Sequence, residues 1–99
     1  IDWRVVCKLA GMMGVDLIHA GMIGGYYKWE EEEVLDSMKE LHKWGVMPAL
    51  SCGFNSSLTK MVTDRVGINY MANVGGAIHG HKGGTLEGAL EMRQSIDNL

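Results

Sequence analysis

The sequence has little of what marks membrane, secreted or nucleic-acid-binding proteins. Asp16, Lys28 and the acidic run 30–33 interrupt its apolar stretches, so none approaches the roughly 20 residues that a membrane-spanning helix needs. A net charge of −3 gives no basic surface for nucleic acid. Cys7 and Cys52 are too far apart in sequence for a metal-ligand pair, and no signal peptide is recognisable. We therefore expect free thiols, a cytoplasmic location, and no membrane or nucleic-acid partner.

The composition is that of a globular protein. The 99 residues are 46% hydrophobic, enough for one domain with a modest core. The chain starts at Ile1 and enters a helical pattern at once, without an initiator Met. We expect it to be part of a longer protein.

The hydrophobic periodicity alternates between that of helices and that of strands. Helices are predicted at 2–13, 30–44, 56–66 and 85–96, and strands at 15–19, 46–50 and 68–74. Strands separated by helices indicate an α/β fold with parallel strands and right-handed crossovers, here preceded by one helix. Pro48 is a mild objection to a central position of the second strand. Three strands do not close a barrel, so the sheet needs further strands from more chain or from another subunit.

Helix ends and faces follow from the same pattern. Asp2 is the predicted cap of the first helix, Ser56 or Ser57 of the third, and Thr85 of the last, in which Gly88 is a weak point. The faces expected to point at the core are Val5, Val6, Leu9, Met12 and Met13 in the first helix, and Leu86, Ala89, Leu90 and Ile96 in the last.

The loops after the three strands are polar and rich in glycine, and in parallel α/β folds such loops carry the ligand site. His19 ends the first strand, where it could bind an anion, move a proton, or simply bond a backbone carbonyl. Ser51 and Gly53 follow the second strand, and the run 73–85 with its five glycines follows the third. Glycine exposes backbone N–H groups that can hold a phosphate, so together the loops favour a phosphorylated substrate.

Other side chains in these loops have simpler explanations. His79 and His81 could hold a metal, but no third ligand stands at metal spacing, so support of the loop is favoured. Lys28 could reach a phosphate or carboxylate, or be a solvated loop lysine. The carboxylates of residues 30–33 suit the positive end of a helix and are interpreted as a solvated face.

Three motifs in this order resemble the C-terminal part of the large subunit of ribulose bisphosphate carboxylase/oxygenase (RuBisCO) or of RuBisCO-like proteins. They are Ile18-His19-Ala20-Gly21, Met47-Pro48-Ala49-Leu50-Ser51-Cys52-Gly53, and Ala72-Asn73-Val74-Gly75-Gly76-Ala77-Ile78-His79-Gly80-His81. The resemblance covers nearly the whole chain. It implies that residues 1–99 are a partial barrel domain, the last three βα units of a TIM (βα)8 barrel with the helix before them.

The resemblance also implies roles for individual residues. His19 and Ser51 would contact one phosphate of a sugar bisphosphate, while Gly53, Gly75 and Gly76 would hold the other through backbone amides. A lysine of the closing loop, matched here by Lys28 if at all, would stabilise the carboxylate formed when CO2 adds. The implied protein is a magnesium-dependent carboxy-lyase whose metal ligands lie outside this chain. The rest of the large chain and a second large subunit would complete its site.

Several departures leave the activity open. The family's lysine matches Tyr26, and Lys28 lies two residues further on. Cys52 stands where many carboxylases have glycine, and Lys82 replaces a proline. These features resemble archaeal (form III) or RuBisCO-like members more than the plant enzyme. The alternatives are a RuBisCO-like enolase or isomerase that acts on a phosphorylated sugar or thiosugar without carboxylation, and a fragment that is inactive in isolation.

Overall fold

The computed structural model describes residues 1–25 and 30–99. Its helices are α1 (Trp3–Met13), α2 (Glu31–Lys43), α3 (Thr59–Val66), α4 (Gly75–His79) and α5 (Thr85–Asp97), and a 3-10 turn (Ser56–Leu58) precedes α3. Its strands are β1 (Leu17–Gly21), β2 (Met47–Leu50) and β3 (Met71–Ala72). The strands form one parallel sheet in the order β1-β2-β3, which confirms the predicted α/β class. In the described part of the chain, no helix is long and apolar enough to cross a membrane.

Helix α1 has the predicted ends, but a different face points inward. The Asp2 carboxylate accepts a hydrogen bond from the Arg4 N–H, and Gly14 ends the helix with a φ of +80°. The buried residues are Cys7, Ala10 and Gly11, so the predicted face is wrong: Val5, Leu9, Met12 and Met13 are exposed. The cause is a close contact, because a Cβ at Gly11 would lie 2.4 Å from Cγ of Trp44. Small residues therefore face α2.

Helix α2 lies within the predicted range 30–44. Val34, Met38 and Leu41 are buried, and residues 31–33 are exposed at the positive end of the helix. Two of these carboxylates pair with cations, Glu31 with Arg65 and Glu33 with Arg4. These ion pairs link α2 to α3 and to α1.

Strand β2 is central although it contains Pro48. The register pairs Ile18 with Pro48 on one side and Leu50 with Ala72 on the other. In this register an N–H at residue 48 would face the carbonyl of Asn69. Proline has no N–H to donate, and that carbonyl instead accepts from Nε2 of His42 at 2.7 Å. The side chain of His42 thus replaces the ladder bond that proline removes.

Strand β3 is shorter than predicted, and the glycine run after it is partly helical. The Tyr70 N–H donates to the Ile68 carbonyl in a tight turn, so pairing starts only at Met71. After Asn73, whose N–H donates to Leu50, the chain turns into α4. The predicted continuous glycine-rich turn is therefore wrong over residues 75–79.

The last two predicted caps were misplaced. The carboxamide oxygen of Asn55, not Ser56 or Ser57, caps the 3-10 turn by accepting from the Ser57 N–H at 3.0 Å. Gly84, with a φ of +96°, occupies the cap position of α5, and Thr85 is its first helical residue.

The inward face of α5 also differs from the prediction. Gly88 and Met92 are buried, whereas Leu86 and Leu90 are 71% and 54% exposed. A Cβ at Gly88 would lie 2.3 Å from the Ile78 carbonyl oxygen, so this glycine permits α5 to touch α4. Gly88, which the sequence predicted to be a weak point of the helix, is instead a packing contact between α5 and α4.

The two faces of the sheet differ in their surroundings. Pro48 and Leu50 are fully buried on the face that the helices cover. On the other face, the register pairs Leu17 with Met47, and Met71 with Ala49. Leu17, Met47 and Met71 are each 38–40% exposed there. This second face, here called the open face, also carries His19 because it lies two residues after Leu17 on β1.

Candidate functional site

His19 and Ser51 meet at the carboxyl ends of β1 and β2. The Nδ1 atom of His19 lies 3.2 Å from Oγ of Ser51, within hydrogen-bond distance. The pairing is irregular between His19 and Gly21, and the Ser51 N–H donates to the Gly21 carbonyl. The structure thus brings two of the sequence-predicted site residues into direct contact.

Both side chains line an open cleft of about 620 Å³. Trp3 also lines it, and its Nε1–H donates to the His19 carbonyl oxygen at 2.7 Å. Trp3 is not among the residues predicted from the sequence, because an indole at the start of a helix carries no motif. Its place beside His19 follows only from how α1 packs against β1.

The other wall of the cleft carries acidic groups held by Arg4. Asp2 and Glu33 line the cleft, and the Arg4 guanidinium lies 2.6 Å from the first and 3.8 Å from the second. Hydrogen bonds from the Arg4 side chain, and then from its backbone N–H, lower the pKa of Asp2 to about 2. The same ion pairing raises the pKa of Arg4, so the pair stays charged at neutral pH.

The loop after β2 has two consecutive residues with positive φ. Cys52 has a φ of +72° and Gly53 of +109°, and Cys52 is the one non-glycine residue with positive φ in the described ranges. Residue 53 requires glycine for its backbone conformation. At residue 52 the same preference explains why glycine would suit this position better than cysteine.

Gly75 and Gly76 form the exposed first turn of α4, directly after β3. Gly75 has an ordinary φ, and a Cβ there would meet no atom within 4 Å. The fold of the described residues therefore gives no reason for glycine at 75. Residues 53, 75 and 76 lie after strands at the same sheet edge as His19 and Ser51, but they do not line the cleft.

The remaining predicted residues are the two histidines of the glycine-rich run, His79 and His81, and Lys28. His79 bonds Thr85, and His81 accepts from the Gly83 N–H, which agrees with loop support. Lys28 lies outside the described residues, as does Tyr26. Within 1–25 and 30–99, no three His, Cys, Asp or Glu side chains come close enough to hold a metal ion, so these residues do not fit a magnesium site.

Known proteins are similar to this chain over nearly its whole length. Ribulose bisphosphate carboxylase of Pyrococcus furiosus is 34% identical over 104 residues, and that of Methanocaldococcus jannaschii is 27% identical over 118. These alignments cover 98% and 100% of the chain but only 24% and 28% of the relatives. The chain thus spans about a quarter of their length. No family model matches the sequence.

Solved structures show the same similarity in three dimensions. An octameric RuBisCO from Pyrococcus horikoshii superposes with a TM-score of 0.87 and 30% identity, covering 96% of this chain and 24% of that one. A RuBisCO-like protein from Burkholderia fungorum gives 0.73 and 27%, covering 83% and 22%. The three parallel strands and their helices match part of the RuBisCO barrel. The chain is therefore similar, over nearly its whole length, to part of the large chain of RuBisCO, and its relatives include archaeal-type members of that superfamily.

Proposed function

We propose that residues 1–99 supply the last three βα units of a RuBisCO-type barrel. The open face supports this proposal, because Leu17, Met47 and Met71 form an apolar surface where further barrel strands would pack. β1 and β3 also leave the outer edges of the described sheet unpaired. In this arrangement the rest of the large chain is the first partner of these residues.

We further propose that the assembled protein is a ribulose-1,5-bisphosphate carboxylase and that His19 and Ser51 bind one substrate phosphate. The observation that carries this proposal is the 3.2 Å contact between His19 Nδ1 and Ser51 Oγ in an open cleft. An imidazole and a hydroxyl side by side offer N–H and O–H donors to the same tetrahedral anion. The similar Pyrococcus horikoshii enzyme was crystallised as a complex with sulfate ion, which has the shape and charge of a phosphate group.

The second phosphate would bind at the glycines. The first N–H groups of α4, at Gly75 and Gly76, have no partner within the helix, and Gly53 presents backbone without a side chain. The open space around Gly75 supports this role, because packing alone does not demand glycine there. The two anion sites would hold the ends of one extended bisphosphate.

Chemistry at the centre of the substrate would use groups outside the described residues. Magnesium ligands would come from other parts of the large chain, and a bound ion would supply Lewis-acid stabilisation of negative charge. Lys28 is proposed to stabilise the carboxylate that forms when CO2 adds. A second large subunit would complete the site, and a cytoplasmic location suits both free thiols and a soluble sugar phosphate.

Product analysis of the protein that carries this chain tests the carboxylase. We expect labelled phosphoglycerate from ribulose bisphosphate, Mg²⁺ and labelled bicarbonate. Enolisation of a sugar phosphate without labelled product would contradict carboxylation and leave the phosphate site standing.

The second candidate is a RuBisCO-like enolase or isomerase for a phosphorylated sugar or thiosugar. Tyr26 at the position of the family's lysine and the similarity to the Burkholderia fungorum protein favour it. Lys28→Ala separates the two. A carboxylase that uses Lys28 loses CO2 addition and keeps proton abstraction, whereas an enolase or isomerase keeps its turnover.

The third candidate is that the 99 residues are inactive by themselves. We expect this because no metal site forms among the described residues. The open face and the free sheet edges predict association in solution. Sedimentation of the isolated chain as a compact, well-folded monomer would contradict that expectation.

A further inference from the structure

Helix α4 is too short to be stable by itself. It has five residues, and helices of this length are unstable unless neighbouring groups support them. In the proposed function its first N–H groups, at Gly75 and Gly76, bind a phosphate. A residue that fixes the position of those amides would therefore act through that proposed function.

His81 connects the segment after α4 to the middle of α5. Its Nδ1 atom accepts from the Gly83 N–H at 2.9 Å, and its Nε2 atom lies 2.9 Å from Oε2 of Glu91. The side chain is only 28% exposed. Each ring nitrogen therefore has a partner. Nδ1 is bonded within the segment between α4 and α5, and Nε2 contacts α5.

These two bonds require one protonation state. Because Gly83 donates to Nδ1, that nitrogen carries no proton, so the proton of the neutral ring is on Nε2 and is donated to Glu91. A second proton on Nδ1 would face the Gly83 N–H and break that bond. The bond to Glu91 would survive as an ion pair.

Two further contacts join the same elements. Gly88 of α5 lies against the backbone of Ile78 in α4, and Nδ1 of His79 lies 3.3 Å from Oγ1 of Thr85. His81 thus holds the middle of the segment between α4 and α5, and the contacts of Gly88 and His79 hold the helices on either side of it. A shift of the connection would move α4 and the amides at its start.

We propose that His81, as a neutral imidazole that bridges Gly83 and Glu91, is a positioning residue that holds helix α4 in the orientation in which Gly75 and Gly76 bind an anion. The charged and titratable groups around His81 are Glu91 and Glu87 of α5, His79 of α4, and the adjacent Lys82. Among these, only Glu91 contacts the ring nitrogens in the described residues. Loss of the Gly83 bond would loosen α4.

Three variants separate the bonds of His81. His81→Asn keeps an acceptor for the Gly83 N–H, because an asparagine oxygen can make the same bond two residues along, and it does not titrate. Glu91→Gln keeps an acceptor for Nε2 without the charge. His81→Ala removes both contacts.

Sulfate is the probe, since it stays a dianion between pH 5 and 8, and calorimetry on the protein that carries this chain measures its affinity. At pH 8 we expect His81→Ala, which loses both contacts, to weaken sulfate binding about five- to tenfold. His81→Asn, which keeps only the Gly83 contact, should weaken it by less, and Glu91→Gln should stay within about twofold of the wild type. At the same pH, the protection of the Gly83 amide from exchange should fall in His81→Ala and stay near the wild-type value in His81→Asn.

The outcomes distinguish the inference from the function on which it rests. Sulfate binding that is the same in His81→Ala and wild type overturns the role of His81 and leaves the anion site intact. Equal protection of the Gly83 amide in His81→Ala and the wild type also overturns it. Absence of sulfate binding in the wild type overturns the proposed anion site, and the positioning role with it.

Discussion

His19 Nδ1 and Ser51 Oγ lie 3.2 Å apart although 32 residues separate them in the chain. We expect Ser51→Ala to raise the Kd for a phosphate-containing substrate about tenfold, because one donor to the anion is lost. Ser56→Ala is the matched control, since Ser56 lies in the same loop and outside the cleft. Equal affinities of the two variants in calorimetry would contradict a phosphate site at Ser51.

The contact between His19 and Ser51 could be anticipated from the sequence, whereas the packing of α1 and α5 could not. Parallel strands put their carboxyl ends at one edge, so polar residues after neighbouring strands meet there. Apolar residues at helical spacing, by contrast, predicted the wrong faces for α1 and α5. Gly11 and Gly88 decided those faces through close contacts with Trp44 and Ile78, and a pattern of hydrophobicity does not register such contacts.

Gly88→Ala should destabilise the protein. The added Cβ would lie 2.3 Å from the Ile78 carbonyl oxygen, and overpacking of this kind costs about 1–3 kcal/mol. Chemical denaturation followed by circular dichroism measures the change. Gln94→Ala on the exposed side of α5 is the control and should change the free energy of unfolding by less than about 0.5 kcal/mol.

Gly75→Ala should separate stability from binding. A Cβ there meets no atom within 4 Å, and alanine is the better helix former, so the free energy of unfolding should stay the same or rise by up to about 1 kcal/mol. Anion affinity should fall, because the methyl group stands where a phosphate would approach the amide. Unchanged affinity in this folded variant would remove Gly75 from the proposed site.

Cys52→Gly should stabilise the loop after β2. Cysteine at a φ of +72° carries the cost of a left-handed conformation, roughly 1–2 kcal/mol, and glycine offsets part of the gain by its greater freedom when unfolded. The expected net gain is about 0.5–1 kcal/mol. Cys52→Ala is the control: it removes the same thiol but keeps Cβ, so it should give no such gain. If Cys52→Gly is less stable than Cys52→Ala, residue 52 is not strained.

Asp2 should titrate far below an ordinary aspartate, because hydrogen bonds from Arg4 stabilise its charged form and lower its pKa from 3.8 to about 2. A carboxyl with a lowered folded-state pKa stabilises the fold fully above its ordinary pKa, and this contribution is lost as the pH falls through about 2. Arg4→Met keeps the backbone N–H bond that caps α1 and removes the guanidinium, so the pKa of Asp2 should rise toward its ordinary value. An NMR titration of the Asp2 carboxyl carbon, in the wild type and in Arg4→Met, measures both values. If the Asp2 midpoint is the same with and without the guanidinium, Arg4 does not hold this carboxylate, and the acidic wall of the cleft is not neutralised by Arg4.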